Sequence, residues 1–188
     1  MSGAGDDAGE ASDESLAVRC RHGDLAAFEA LARRYQGRVF SYALRMTGDS
    51  HEAEDLAQET LLRVYRSLER FDAQQAFAGW VFGIAAHVCR DWLRWRGRRR
   101  EQVAEGVEAV GGGPSPADEA ARAEERERVG RAVRRLPRKY REVVVLHYVE
   151  EMGYEEVAAA LGIRPAAARR RALRAREMLQ RYLGGHDR

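Results

Sequence analysis

Arginine carries almost all of the positive charge in this chain: 31 of the 32 basic residues are arginine, Lys139 being the exception. A guanidinium grips phosphate in a bidentate fork, stacks on bases and reads guanine edges, so the placement of these residues decides what they can do. Six arginines (Arg90, Arg94, Arg96, Arg98, Arg99 and Arg100) stand against the single acid Asp91. A second block of seven, from Arg164 through Arg169, Arg170, Arg171, Arg174 and Arg176 to Arg181, stands against Glu177 alone. Two dense basic blocks far apart in sequence point to two contact surfaces for a polyanion.

The formal net charge of +2 hides this pattern, because acidic blocks offset the basic ones. Asp6, Asp7, Glu10, Asp13 and Glu14 precede any basic residue, and Asp49, Glu52, Glu54, Asp55 and Glu59 occupy a stretch without lysine or arginine. Enzyme chemistry finds no support. There is no G-x-x-x-x-G-K-[ST] phosphate loop and no H-E-x-x-H pair, and no Glu precedes any of the five histidines by three residues. Cys20 and His22, or His87 and Cys89, are two residues apart and point to different sides of a helix, so neither pair makes a metal site. The reading is no enzyme, no cofactor and no metal. With only two cysteines, a longest nearly apolar run (residues 79–89) too short to span a bilayer, and an acidic opening unlike a secretory signal, a cytoplasmic protein without membrane insertion is expected.

The elements that must carry these groups are helices. Leu25, Phe28, Leu31, Tyr35, Val39, Tyr42 and Met46 recur every three or four residues. A second helix is expected over about 51–68, with Leu56, Thr60, Val64 and Leu68 on one line. In a third, Phe77, Trp80, Val81, Ile84, Val88 and Trp92 form an apolar stripe, with His87, Asp91, Arg94, Trp95 and Arg98 on another side. Gly111-Gly112-Gly113-Pro114-Ser115-Pro116 reads as a tether. Beyond it, Leu136-Pro137 separates two helices.

Tyr154 to Ile163, followed by a long basic helix from Pro165, has the layout of a helix-turn-helix. Val157, Ala158 and Leu161 face inward, Ala158 being small where helices cross. Gly162 permits a left-handed turn, and Ile163 plugs the gap. Arg169, Arg170, Arg171, Arg174 and Arg176 then face groove edges and phosphates. The expected fold class is all-α: an acidic disordered tail (1–15), a helical domain (16–100), a flexible linker (101–121), a helix-turn-helix domain (122–183) and a short tail (184–188).

These residues also carry a family resemblance. Glu52-Ala53-Glu54-Asp55-Leu56-Ala57-Gln58-Glu59-Thr60-Leu61-Leu62-Arg63-Val64-Tyr65 closely resembles the polymerase-binding helix of sigma-70-family initiation factors. Phe77-x-x-Trp80-Val81-x-x-Ile84-Ala85, with Asp91-Trp92-Leu93-Arg94 after it, resembles that family's promoter-melting helix, and Leu136-Pro137 through Arg176 resembles its region 4. A chain with only these two regions is similar to the extracytoplasmic-function (ECF) group. The resemblance implies a transcription initiation factor whose Asp55, Gln58 and Glu59 dock on the β′ clamp helices of core RNA polymerase. It implies a −10 element met by Phe71, Asp72 and Gln74 of a specificity loop, by His87, by Arg90, Arg94, Arg98 and Arg99 on phosphates, and by Trp95 stacked on a base. It implies a −35 element met by Arg164, Arg169, Arg170, Arg171, Arg174 and Arg176, a contact with the polymerase β flap, and in many members an anti-sigma factor.

Several positions depart from the family pattern. His87 stands where asparagine is usual, and Ala86 where a basic residue is common. Ala166-Ala167-Ala168 replaces Gly-Thr-Val, Ala172 replaces leucine, and Arg164 and Pro165 are unusual where they stand. A histidine cannot copy a bidentate amide. The alternative is a sigma-like DNA-binding regulator that does not itself initiate transcription.

Overall fold

The computed structural model describes residues 11–102 and 117–184. Among the described residues eight α-helices follow one another: α1 (Asp13–Arg21), α2 (Leu25–Thr47), α3 (Ser50–Ser67), α4 (Phe77–Gln102), α5 (Ala117–Arg135), α6 (Arg138–Val144), α7 (Tyr154–Leu161) and α8 (Pro165–Gly184). A 3₁₀ turn, Leu68–Arg70, follows α3, and a π-helical turn, Val145–Val149, follows α6. The described residues contain no strand.

Side-chain caps start the early helices where their apolar periodicity begins. Ser12, Asp24 and Asp49 each accept a hydrogen bond from the backbone N–H three residues on, at 3.1–3.2 Å, satisfying donors that a helix N-terminus leaves orphaned. In the first module, Leu31, Tyr35, Val39, Tyr42 and Met46 of α2 are buried against Leu56 and Val64 of α3 and Phe77, Val81, Phe82 and Ala85 of α4. Phe71, Phe77 and Tyr35 form a chain of edge-on rings with centroids 5.2 and 5.4 Å apart, the offset that the ring quadrupoles favour.

In the second module α6, α7 and α8 bury Val143, Val144, Val157, Ala158, Leu161, Ala168, Ala172 and Ala175. Gly162 ends α7 in the left-handed region at φ 65°, where a Cβ would be strained. Ile163 N–H then donates back to the Ala158 carbonyl at 2.9 Å, which closes the turn. The alanines of α8 lie one or two turns apart on its inward face, so the short side chains that depart from the family pattern let α8 sit close to its neighbours.

The two cores are continuous with one another. Helix α4 packs on α2 and α3 with one face and on α7 with the opposite one, which is why it is apolar around most of its circumference between Phe77 and Cys89. Gly83 marks the nearest approach: a Cβ there would lie 3.3 Å from the Ala160 carbonyl oxygen. Glycine inside a helix costs about 1 kcal/mol relative to alanine, and here it admits the backbone of α7.

Three expectations need correction. Residues 11–15 are not a disordered tail, because Asp13 accepts hydrogen bonds from Arg34 (2.6 Å) and from Tyr35 Oη (2.5 Å), and Glu14 accepts one from Phe77 N–H (2.9 Å). These acids fix α1 and cap α4. The linker is shorter at both ends, with α4 running to Gln102 and α5 starting at Ala117 rather than near residue 121. Leu25, read as the first core position of its helix, is exposed. Residues 1–10, the Gly/Pro tether at 111–116 and residues 185–188 lie outside the described residues, while Gly184 closes α8.

A chain that lacks residues 1–10 is the reference. Deleting residues 1–14 should cost about 2 kcal/mol or more relative to it, because a cap and charge-assisted hydrogen bonds go with residues 11–14; calorimetry on the two truncations checks this.

Candidate polymerase and nucleic-acid interfaces

Helix α3 is amphipathic, and its outer face carries the acids. Asp55 and Gln58 are exposed, and half-exposed Glu59 pairs with Arg63 one turn on at 2.6 Å. Leu62 and Tyr65 continue this stripe and are themselves exposed, Tyr65 lying against Phe28 of α2. Sequence reasoning missed these two, although i, i+3 and i+4 spacing from Gln58 would have placed them on the same face. Glu52 leaves the acidic face: its carboxylate accepts a hydrogen bond from Trp92 Nε1 at 2.6 Å.

In the loop before α4, Asp72 and Gln74 are exposed, and the Asp72 carboxylate accepts the Gln74 N–H at 3.0 Å, holding the turn. Phe71, expected to face an extruded base, is only 2% exposed. It packs between Phe77 and Trp80, with centroids 5.2 and 5.1 Å away. It anchors the loop and does not line its mouth.

On α4, His87 is exposed, with Nε2 3.3 Å from the Asp91 carboxylate. A hydrogen bond from Arg94 foremost, with Arg63 and His87 nearby, holds the Asp91 carboxyl below its ordinary range. Trp95 is 45% exposed, with the Arg99 guanidinium 4.7 Å from its ring centroid. Arg98 and Arg99 are exposed, and Arg96 covers the ring of half-buried Trp92 at 4.9 Å. Trp80, given with Trp92 to the core, is likewise half-buried. The side chain of Arg100 lies outside the described residues.

Arg90 departs from expectation. Its guanidinium donates to both carboxylate oxygens of Glu142 on α6, at 2.7 and 3.0 Å. Glu142 is only 2% exposed. In this arrangement Arg90 is an internal tie between modules and not a free phosphate contact. Two more ties accompany it: Arg38 of α2 pairs with buried Glu150 at 3.0 Å, and Arg141 of α6 donates to the Met46 carbonyl of α2 at 2.8 Å. Burial pushes the Glu150 carboxyl up, and the Arg38 hydrogen bond opposes that rise. Burial likewise pushes the Cys89 thiol up to about 12, which leaves it an unreactive core residue.

On α8, Arg164, Arg169, Arg170, Arg174 and Arg176 are exposed and Arg171 is half-exposed. Arg169 lies over the Tyr154 ring at 5.6 Å and pairs with Glu155 at 3.0 Å, while Arg174 pairs with Glu177 at 2.6 Å. These are surface pairs that water and salt screen, so both arginines can exchange partners at small cost. Among the described residues no cluster of three or more His, Cys, Asp or Glu side chains is placed to hold a metal ion, and no helix is long and apolar enough to cross a membrane.

An acidic helix face, an exposed tryptophan among arginines and a helix-turn-helix with a basic second helix describe a protein that meets both another protein and DNA. Comparison with known proteins makes this specific. The family model for sigma-70 region 2 matches residues 31–99, and that for sigma-70 region 4 matches residues 126–179. The chain is 36% identical over 188 residues to the ECF RNA polymerase sigma factor SigE of Mycolicibacterium smegmatis, covering 95% of this chain and 72% of that one. It is 37% identical over 171 residues to the RNA polymerase sigma factor CarQ of Myxococcus xanthus, covering 88% and 94%. Among solved structures, CnrH in complex with the cytosolic domain of CnrY superposes with a TM-score of 0.73 at 27% identity, over 93% of this chain and 99% of that one.

The chain belongs to the sigma-70 family, in its ECF group. It is a transcription initiation factor that directs RNA polymerase to promoters.

The two tryptophans should separate under substitution. Trp92→Phe removes a hydrogen bond to a charged acceptor and should cost about 1–2 kcal/mol in denaturant unfolding. Trp95→Phe should stay within about 0.5 kcal/mol of the parent chain.

Proposed function

We propose that Asp55, Gln58 and Glu59 on α3 dock the chain on the β′ clamp helices of core RNA polymerase, with Leu62 and Tyr65 extending that contact. The observation that carries this reading is the segregation of charge onto separate exposed faces, acidic on α3 and basic along α4 and α8. An acidic strip beside apolar side chains complements a basic partner; it steers encounter and fixes register, while the apolar part supplies buried area.

In the same reading the first module meets the −10 element. Asp72, Gln74 and His87 stand around an extruded base, Arg94, Arg98 and Arg99 follow the phosphates, and Trp95 stacks on a base, a contact worth about 1–3 kcal/mol. Arg164, Arg169, Arg170, Arg171, Arg174 and Arg176 meet the −35 element, and the second module also contacts the β flap. The chain supplies no reaction chemistry. Binding energy to unpaired bases and phosphates offsets the unstacking of a few base pairs, and the polymerase, in the cytoplasm, performs nucleotide addition. Protein control belongs to the proposal as well: the structurally similar RpoE of Bartonella quintana was solved with the anti-sigma factor NepR, and an anti-sigma factor is the corresponding partner here.

The test is run-off transcription with core polymerase on genomic DNA. Promoter-specific transcripts are expected, and failure to bind core polymerase overturns the reading. Joint substitution of Asp55, Gln58 and Glu59 by alanine should weaken core binding about tenfold, chiefly through the on-rate, and leave duplex DNA binding intact. Arg171→Ala should flatten the slope of log affinity against log salt by about 0.9, the value for one lost phosphate contact; titrations at several salt concentrations read it directly.

A further inference from the structure

Among the described residues of the second module, Leu173 of α8 is the most exposed large apolar side chain, at 61%. It stands in the middle of a basic helix, where an arginine or glutamine would be better solvated. A leucine left in water forgoes the gain of burial. Single exposed apolar residues are ordinary on a protein surface, so position, and not exposure, sets this one apart.

At 3.6 residues per turn, Ala166, Arg169, Arg170, Leu173 and Arg176 fall within about 60° of one line along α8, and all five are exposed. The buried Ala168 and Ala175 lie on the opposite side. Leu173 therefore points directly away from the body of the second module. Arg170 and Arg176 flank it one turn to either side, and among the described residues neither has a carboxylate partner. The acids nearby are taken, Glu155 by Arg169 at 3.0 Å and Glu177 by Arg174 at 2.6 Å. Leu173 also lies in the N-terminal half of the second helix, the part that a helix-turn-helix lays against base edges. Ala166, two turns earlier on the same line, adds no bulk to hold that half away from them.

Among the base edges of a major groove, the apolar group on offer is the C5 methyl of thymine. We propose that Leu173 is a specificity-determining residue that packs on a thymine methyl of the −35 element, with Arg170 and Arg176 holding phosphates or base edges beside it. This deepens the reading that α8 meets the −35 element, and it rests on that reading. Arginines on phosphates position a protein on DNA of any sequence; the leucine makes the contact depend on one methyl. Side chains one helical turn apart are about 5–6 Å from each other, and successive base pairs about 3.4 Å. The thymine accordingly lies within about two base pairs of the position that Arg170 meets.

The experiment uses holoenzyme assembled from the full chain and core RNA polymerase. A duplex is selected from a pool randomised over the −35 element, and each of its thymines is replaced singly by uracil, which pairs alike and lacks the methyl. One such replacement is expected to weaken binding by the parent holoenzyme about fourfold, the worth of one buried methyl. Leu173→Ala, a surface substitution that leaves the fold intact, is expected to bind the thymine duplex at least as weakly and to ignore that uracil. Leu173→Met is expected to keep the parent's sensitivity. A selected element without thymine, a parent holoenzyme indifferent to every uracil, or a Leu173→Ala holoenzyme as sensitive as the parent overturns the proposal. Weaker assembly of the Leu173→Ala chain with core polymerase, the sign of a protein contact, overturns it as well. All of these leave the −35 reading standing; a pool that yields no preferred duplex overturns that reading together with the proposal.

Discussion

The approach of α7 to α4 at Gly83 is the constraint on which the rest of the architecture depends. One helix completes the core of the first module and also forms the seat of the second. It must therefore be apolar on opposite faces, with Val81, Ala85 and Val88 on one side and Gly79, Gly83 and Ala86 on the other, and lack a side chain where the α7 backbone comes nearest. Closing the two modules buries carboxylates at the seam. Leaving a buried charge alone is costly, while pairing it only roughly breaks even. Glu142 and Glu150 are accordingly each matched by an arginine from the first module, and Arg141 satisfies a carbonyl at the end of α2. Such ties choose one docking geometry more than they add stability.

Acidic residues thus serve three different ends in a chain whose total charge is nearly neutral. On α3 they face solvent as a docking strip. In α1, Asp13 and Glu14 turn inward to hold α2 and to cap α4. At the seam, Glu142 and Glu150 pair with Arg90 and Arg38 and tie the second module to the first. The arginines divide in parallel: Arg38, Arg90 and Arg141 are structural, whereas Arg98, Arg99, Arg164 and Arg170 face solvent.

Much of this was legible in the residues alone. The 3.6-residue period of α2, the Leu136-Pro137 break and the turn at Gly162 follow from local chemistry, and the structure has them where expected. The roles of Phe71 and Arg90 were not legible. Their neighbours, Phe77 and Trp80 in one case and Glu142 in the other, are set by tertiary packing, and Glu142 is 52 residues away. Periodicity reports that a face is covered and not what covers it. Asp13 and Glu14 failed for a related reason: an acidic, glycine- and alanine-rich opening has the composition of an unfolded tail, and only the positions of Tyr35 and Phe77 N–H show that its last residues have partners. The departures on α8 are clearer in three dimensions, where Ala168 and Ala172 are inward-facing positions that a closely seated helix needs small.

The central claim is that the acidic face of α3 and the basic faces of α4 and α8 meet different partners. Affinities of the chain with Asp55, Gln58 and Glu59 all replaced by alanine, measured for core RNA polymerase and for duplex DNA, test it most directly. The account predicts weakened binding to the polymerase and unchanged binding to DNA. An unchanged affinity for the polymerase would contradict it.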